Sequence, residues 1–171
     1  MATISAMPDG STIVDAPCGS GVALRALRAG QRVRYLGYDL SPEMLRRAGR
    51  RAKKLRLDQV ELVQADVESL PLDGGGVDLF VSYFGLHCLP NPAAAVREAP
   101  RCLRHGGRLV GSTIVRGTRP LDGLRVCPGA GAYGPVGTPS DLREWLADAG
   151  LADIALDVRG VFAYFEAHSS R

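Results

Sequence analysis

Ile13-Val14-Asp15-Ala16-Pro17-Cys18-Gly19-Ser20-Gly21 is the stretch that decides the fold. A short apolar run ends in an acid and enters a turn with two glycines, from which a helix is expected to open. Glycine lets a backbone approach a ligand closely, and the first turn of a helix offers N–H groups without internal partners. In an open α/β sheet, such a turn beside the point where strand order reverses is where nucleotide-like ligands sit. Taken alone, Gly19-Ser20-Gly21 suits a tight strand-to-helix turn with no ligand as well as one that holds something.

Outward from this turn, short apolar runs alternate with helical stretches, which indicates βαβ units around a mostly parallel sheet. Strands are expected at Thr12–Ala16, Val33–Tyr38, Val60–Gln64, Val77–Ser82 and Arg108–Ile114, and near Ala152–Val158 and Val161–Ala167. Their runs are continuously apolar, as in strands covered on both faces. Ser41-Pro42-Glu43 and Thr138-Pro139-Ser140-Asp141 each offer an N-cap, a first-turn proline and an early acid. In the later helix Leu142, Trp145, Leu146 and Ala149 fall on one face, and Gly150 ends it. A helix over Asn91–Arg104 should be kinked or split by Pro100. Residues 116–137 read as one irregular connection. The whole of 1–171 is expected to be a single domain.

Two acids follow the next two strands. Asp39 ends the second, where a carboxylate can accept both hydroxyls of a ribose. Asp66 follows the third, placed to accept from an adenine amino group. Singly, Asp39 could be a helix-preceding cap and Asp66 a loop acid; three acids after three successive strands form a pattern. A nicotinamide site fits less well, because Leu24 stands where its third small residue should pack. A Walker loop would need Gly-Lys-Ser/Thr, which is absent.

On these residues the sequence resembles the class I S-adenosylmethionine-dependent methyltransferases, in the branch similar to ubiquinone/menaquinone-biosynthesis methyltransferases. The matching motifs include Val14-Asp15-x-x-Cys18-Gly19-x-Gly21, Gly37-x-Asp39-x-Ser41-x-x-Met44-Leu45 and Ala65-Asp66-x-x-x-Leu70-Pro71. Val77-Asp78-Leu79, Leu86-His87-x-Leu89 and Leu103-Arg104-x-Gly106-Gly107 extend the match. The resemblance implies a Rossmann-like, doubly wound α/β sheet of seven strands in the order 3-2-1-4-5-7-6, the last antiparallel. It implies S-adenosylmethionine as cofactor. Asp15 and the Cys18–Gly21 backbone would hold the methionine moiety and Asp39 the ribose. Leu40 and Met44 would lie near the adenine, and Asp66 with the Val67 amide would read its edge. Pro17 stands where the family has its first loop glycine. Family members carry helices before the first strand, whereas about ten residues precede it here; the expectation is a cleft left open or completed by a second copy.

The expected reaction is in-line transfer of a methyl group to a small-molecule acceptor; the alternative is an S-adenosylmethionine-binding protein or partner subunit without catalysis. His87, after the fourth strand, is the candidate general base, with a ring that merely shapes the pocket as the bland reading. Tyr83 and Phe84 either line an acceptor cavity and face the sulfonium or are ordinary core aromatics. His105 and His168 read as structural, and Tyr133 as a weak candidate in the irregular connection. The run Arg46, Arg47, Arg50, Arg51, Lys53, Lys54 and Arg56 suggests RNA. However, Met44, Leu45, Ala48, Ala52 and Leu55 occupy one helical arc, which makes the run a solvated outer face with no specific nucleic-acid partner. Cys18, Cys88, Cys102 and Cys127 form no metal or disulfide spacing, so reduced thiols of a cytoplasmic protein without a metal are expected. No apolar run is long enough to span a bilayer, and basic residues that are nearly all arginine, with heavy Ala and Gly use, suggest a bacterial source. With 46% hydrophobic residues, 23% charged and a formal charge of +3, the composition is that of an ordinary globular domain.

Overall fold

A computed structural model describes residues 2–117 and 136–170. A helical turn, α1 (Ala2–Ser5), precedes β1 (Thr12–Asp15), β2 (Arg34–Asp39), α2 (Pro42–Leu55), β3 (Val60–Gln64) and β4 (Val77–Tyr83). Then come α3 (Pro92–Cys102), β5 (Leu103–Ile114), α4 (Pro139–Asp148), β6 (Leu151–Arg159) and β7 (Phe162–Ser169). The strands form one sheet in the order β3-β2-β1-β4-β5-β7-β6. The first five are parallel, and β7 runs antiparallel between β5 and β6. Strand order and the reversed last strand are therefore as the resemblance implies. The later Tyr133 and Cys127 lie outside the described residues.

Parallel strands bury both faces, so two cores form. On one side Val14, Leu36 and Phe80 pack with Ala95, Val96 and Ala99 of α3 and Leu142 and Leu146 of α4. On the other, Ile13, Tyr35, Leu79 and Val81 pack with Leu24, Ala48 and Ala52. Alternation within each strand sends its neighbours to opposite layers. Cap chemistry holds as read: Ser41 Oγ accepts from Met44 N at 3.4 Å. Thr138 and Asp141 form a reciprocal capping box at 3.1 and 2.7 Å.

Three expectations need correction. The glycine turn opens only a 3₁₀ turn, Ala23–Ala26, rather than an α-helix. Gly30 takes φ 77° a few residues later, and the Gln31 side chain caps Arg28 N, so the segment turns back before a second turn can form. Pro100 does not split α3; it lies in the last turn of an eleven-residue helix, which then passes directly into β5. Leu55 lies on the apolar arc of α2 but is exposed at the helix end rather than covered. Elsewhere on α2, Glu43 pairs with Arg46 and Arg47, as on a solvated outer face. Among the described residues no helix is long and apolar enough to cross a membrane.

The tightest packing lies where β4, β5 and β7 meet. A Cβ at Gly111 would stand 2.5 Å from Ser82 O and collide with the Phe165 ring. Gly111→Ala should therefore cost about 2 kcal/mol or more in urea unfolding. Gly76→Ala, whose added Cβ meets nothing within 4 Å, serves as the control. Equal stability of the two variants would show that this junction can yield.

Candidate functional site

The carboxyl ends of β1, β2 and β4 converge with the loops that follow them. β1 enters the turn through Ala16–Pro17, a cis peptide. Cys18 N donates to Tyr38 O at 2.7 Å, and Gly21 N to Cys18 O at 2.9 Å. Gly19 and Gly21 take φ 52° and 74°, in the left-handed region that favours glycine. They differ in role. A Cβ on Gly21 would stand 2.7 Å from Leu24 and 3.1 Å from Ala48, so that glycine lets the turn pack on α2. A Cβ on Gly19 would meet nothing within 4 Å, so that residue faces open space.

Asp39 ties this turn to the next element. Its Oδ2 accepts from Gly19 N at 2.8 Å and its Oδ1 from Ser41 N at 2.9 Å. A carboxylate offers about four acceptor positions, so two hydrogen bonds leave further capacity on the same oxygens. Leu40, the next residue, is 64% exposed and sits between the buried Asp39 and the Ser41 cap. Met44 lies half-buried one turn into α2.

Asp15 is the most confined ionisable group of the cluster, only 2% exposed. Tyr35 donates its hydroxyl to Asp15 Oδ2 at 2.5 Å, a partner the sequence reading missed. Burial pushes the Asp15 carboxyl up to about 7, opposed by the Tyr35 hydrogen bond and reinforced by the nearby Asp39. Cys18 is held well above an ordinary thiol, first by burial and then by Asp15 and Asp39, so it remains an unreactive thiol. Tyr83, half-buried, is raised by burial and by the carboxylates of Asp15 and Glu166; it follows Val81, the register partner of Asp15, two residues on along the same face of β4.

Asp66 is exposed after β3, its Oδ1 accepting from Glu68 N at 2.9 Å, whereas Val67 is buried against α3. The structure thus gathers Cys18, Gly19, Gly21 and Asp39 into one hydrogen-bonded unit, with Asp15 bonded separately to Tyr35 and Leu40 and Met44 flanking. Asp66 and Val67 stand on a separate loop. His87 lies in the 3₁₀ turn after β4 and is 6% exposed. Its Nδ1 is 3.3 Å from Thr113 Oγ1 and 3.5 Å from the Ile114 N–H that points to it. Burial lowers its pKa, keeping the ring neutral. It lines a small cavity with Leu142 and Trp145 of α4, on the α4 side of the sheet.

An aromatic ledge that periodicity alone did not single out adjoins Tyr83. Phe84 takes φ 55°, unusual for a bulky residue, and its N–H donates to Ser112 O at 2.7 Å. Its ring meets that of Phe162 edge-on, centroids 5.9 Å apart. Phe162 and Tyr164 pair with Ile114 and Ser112 and fall on one face of β7. All three rings are exposed. The signal was the alternation Phe162-Ala163-Tyr164-Phe165 in an edge-proximal strand. Pro17 packs against Gly85, where a Cβ would stand 2.5 Å from Pro17 Cδ, so the first loop and the segment after β4 are in contact.

A family profile described as a methyltransferase domain matches residues 14–111. An uncharacterised chloroplastic methyltransferase of Arabidopsis thaliana is 35% identical over 113 residues, covering 63% of this chain and 32% of its own length. A ubiquinone/menaquinone biosynthesis C-methyltransferase of Rhizobium johnstonii is 34% identical over 104 residues, 59% of this chain and 40% of the relative. The chain thus spans about a third of the length of such curated relatives. The solved structure of the YcgJ protein of Bacillus subtilis superposes with TM-score 0.81 at 16% identity, over 100% of this chain and 97% of that one.

The buried Asp15 carboxyl makes a measurable prediction. Its folded pKa lies near 7 against an ordinary 3.8, so the folded state retains a proton that the unfolded chain releases between those values. Stability is therefore lost as pH rises through that window and is flat above it. Asp15→Asn keeps an acceptor for Tyr35 without this penalty. Its stability relative to wild type should improve by about 2 kcal/mol between pH 5 and pH 8. Urea titrations giving the same difference at both pH values would refute the buried, proton-retaining carboxyl.

Proposed function

The chain belongs to the methyltransferase-domain family, and on that premise we propose that it transfers a methyl group from S-adenosylmethionine to a small-molecule acceptor. One observation carries the reading. Acids at the ends of β1 and β2 enclose a glycine turn whose Gly19 faces open space, and Asp39 is pre-set by two backbone N–H groups.

The residues fit that cofactor. Asp15 and the Cys18–Gly21 backbone would take the methionine end, with Tyr83 on the neighbouring β4. Asp39 would accept from the ribose hydroxyls, its orientation already fixed by Gly19 and Ser41. The exposed Leu40 supplies an apolar platform for the adenine, with Met44 next to it, and Asp66 with the Val67 amide would read the base edge. When bound, the cofactor supplies a sulfonium-activated methyl, so the protein's task is alignment for in-line displacement. A cationic ligand beside Asp15 favours its ionised form, which turns the strained buried acid into a selective partner for positive charge.

Phe84, Phe162 and Tyr164 support an apolar small-molecule acceptor, because they form an exposed ledge beside Tyr83, which is in register with Ser112 and through it with Tyr164. His87, turned into the α4 side with Nδ1 facing Thr113 and Ile114, supports the segment that carries Phe84. In this reading the acceptor is nucleophilic without His87 as a base. The free Cys18 and Cys102 suit the reducing cytoplasm.

Calorimetry tests the site. S-Adenosylhomocysteine should bind, and NAD should not. Asp39→Ala should weaken binding by about ten- to a hundredfold, the value of one or two charge-assisted hydrogen bonds. Equal binding by wild type and variant would remove Asp39 from the site, and binding of NAD alone would overturn the cofactor.

A further inference from the structure

We infer that Glu98 and Arg101 of α3 are positioning residues for nucleobase recognition, forming a clamp that fixes the loop after β3 from behind. The inference rests on the assignment of Asp66 and the Val67 amide to the adenine edge.

The loop has little of its own to hold it at a defined height. Ala65 N donates to Asp39 O at 3.2 Å and fixes the entry to the loop. Asp66 accepts from Glu68 N, and Ser69 N donates to Asp66 O at 3.1 Å; these bonds shape the turn itself. The anchor on the exit side lies a few residues on. Leu70 N donates to Glu98 Oε1 at 2.7 Å, and Arg101 Nη2 donates to Leu70 O at 3.0 Å. Arg101 Nη1 reaches Leu72 O at 2.8 Å. The same guanidinium closes a two-point pair with Glu98, Nε to Oε2 at 2.8 Å and Nη2 to Oε1 at 2.6 Å. One side-chain pair thus satisfies both backbone groups of Leu70 and the carbonyl of Leu72.

Packing alone would not call for this arrangement. Glu98 is 8% exposed, and a buried carboxylate is costly unless its partner and hydrogen bonds are all in place. An apolar residue could fill the same volume. What it could not do is hydrogen-bond the loop backbone directly, as Glu98 and Arg101 do where they line one surface depression with Ser69–Asp73. Guanidinium geometry suits the task, because its planar fork can grip a carboxylate and two carbonyls together. Val67, packed on Val96 and Ala99 of the same helix, is the apolar half of the same support. α3 therefore sets where Asp66 and Val67 stand.

The test compares S-adenosylhomocysteine with S-inosylhomocysteine, which carries an oxo group in place of the adenine amino group. Calorimetry on the full chain should show wild type preferring the adenine ligand by about tenfold or more, the value of one well-made hydrogen bond to a charged group. Arg101→Lys keeps the charge but cannot span Glu98, Leu70 and Leu72 at once, so the preference should fall at least threefold. Glu98→Gln keeps the acceptor for Leu70 N and one bond from Arg101, and should stay near wild type. A clamp that only stabilises the fold would leave the ligand ratio unchanged in Arg101→Lys, and that outcome overturns the inference. Wild type that binds both ligands equally overturns the base-edge assignment itself. Wild type that binds neither overturns the cofactor reading on which both depend.

Discussion

The Asp39 carboxylate is the constraint on which the site depends. It sits at the end of β2, accepts from Gly19 on the turn after β1, and accepts from Ser41 at the start of α2. A single buried group thus closes the glycine turn and starts the next helix. The turn can afford left-handed backbone at Gly19 because its N–H is paired. Parallel pairing of β1 with β2, Asp15 opposite Gly37, brings the two strand ends into this reach. If either strand slipped by one residue, Asp39 would turn to the opposite layer and the unit would come apart.

A second carboxylate sits behind the first, and the two are in tension. Asp15 is buried, is bonded to Tyr35, and feels the charge of Asp39. Burial of this acid costs stability once it ionises, and a pKa displaced this far is a pattern common at functional sites. The surroundings are built to hold that tension. Tyr35 is fully buried in the layer beneath, and Gly37 leaves room for Leu62, whose Cδ2 would lie 2.7 Å from a Cβ at that position, with Cys18 alongside.

The opposite layer does different work. α3 grips the loop after β3 through Glu98 and Arg101, and its own start follows directly on the turn that carries His87. Beyond it, β7 returns antiparallel and brings Phe162 and Tyr164 beside Phe84. Groups from β4, β5 and β7 meet at one edge only because the last strand is inserted between β5 and β6.

Much of this was legible in the residues. Alternating apolar runs and caps marked the strands and α2 and α4, because burial on both faces and orphan N–H groups act locally. Three acids after three strands, with Gly19 and Gly21, marked the site, because strand ends in a parallel sheet share one edge. What was not legible depended on contacts between distant segments. The 3₁₀ turn after Gly21 follows from Gln31 capping Arg28 and from Gly30, which local propensity does not weigh together. Tyr35 as the partner of Asp15, twenty residues away, depends on register between β1 and β2. The sequence left His87 either a general base or a ring that shapes the pocket; the tertiary structure sets its Nδ1 against Thr113 and Ile114, since only packing decides which layer a residue after a strand enters. The sequence by itself determined the architecture and the acids at its edge, through periodicity and local backbone chemistry. Tertiary structure alone decided which of those groups are buried, paired and held, because those properties arise from neighbours that chain distance does not reveal.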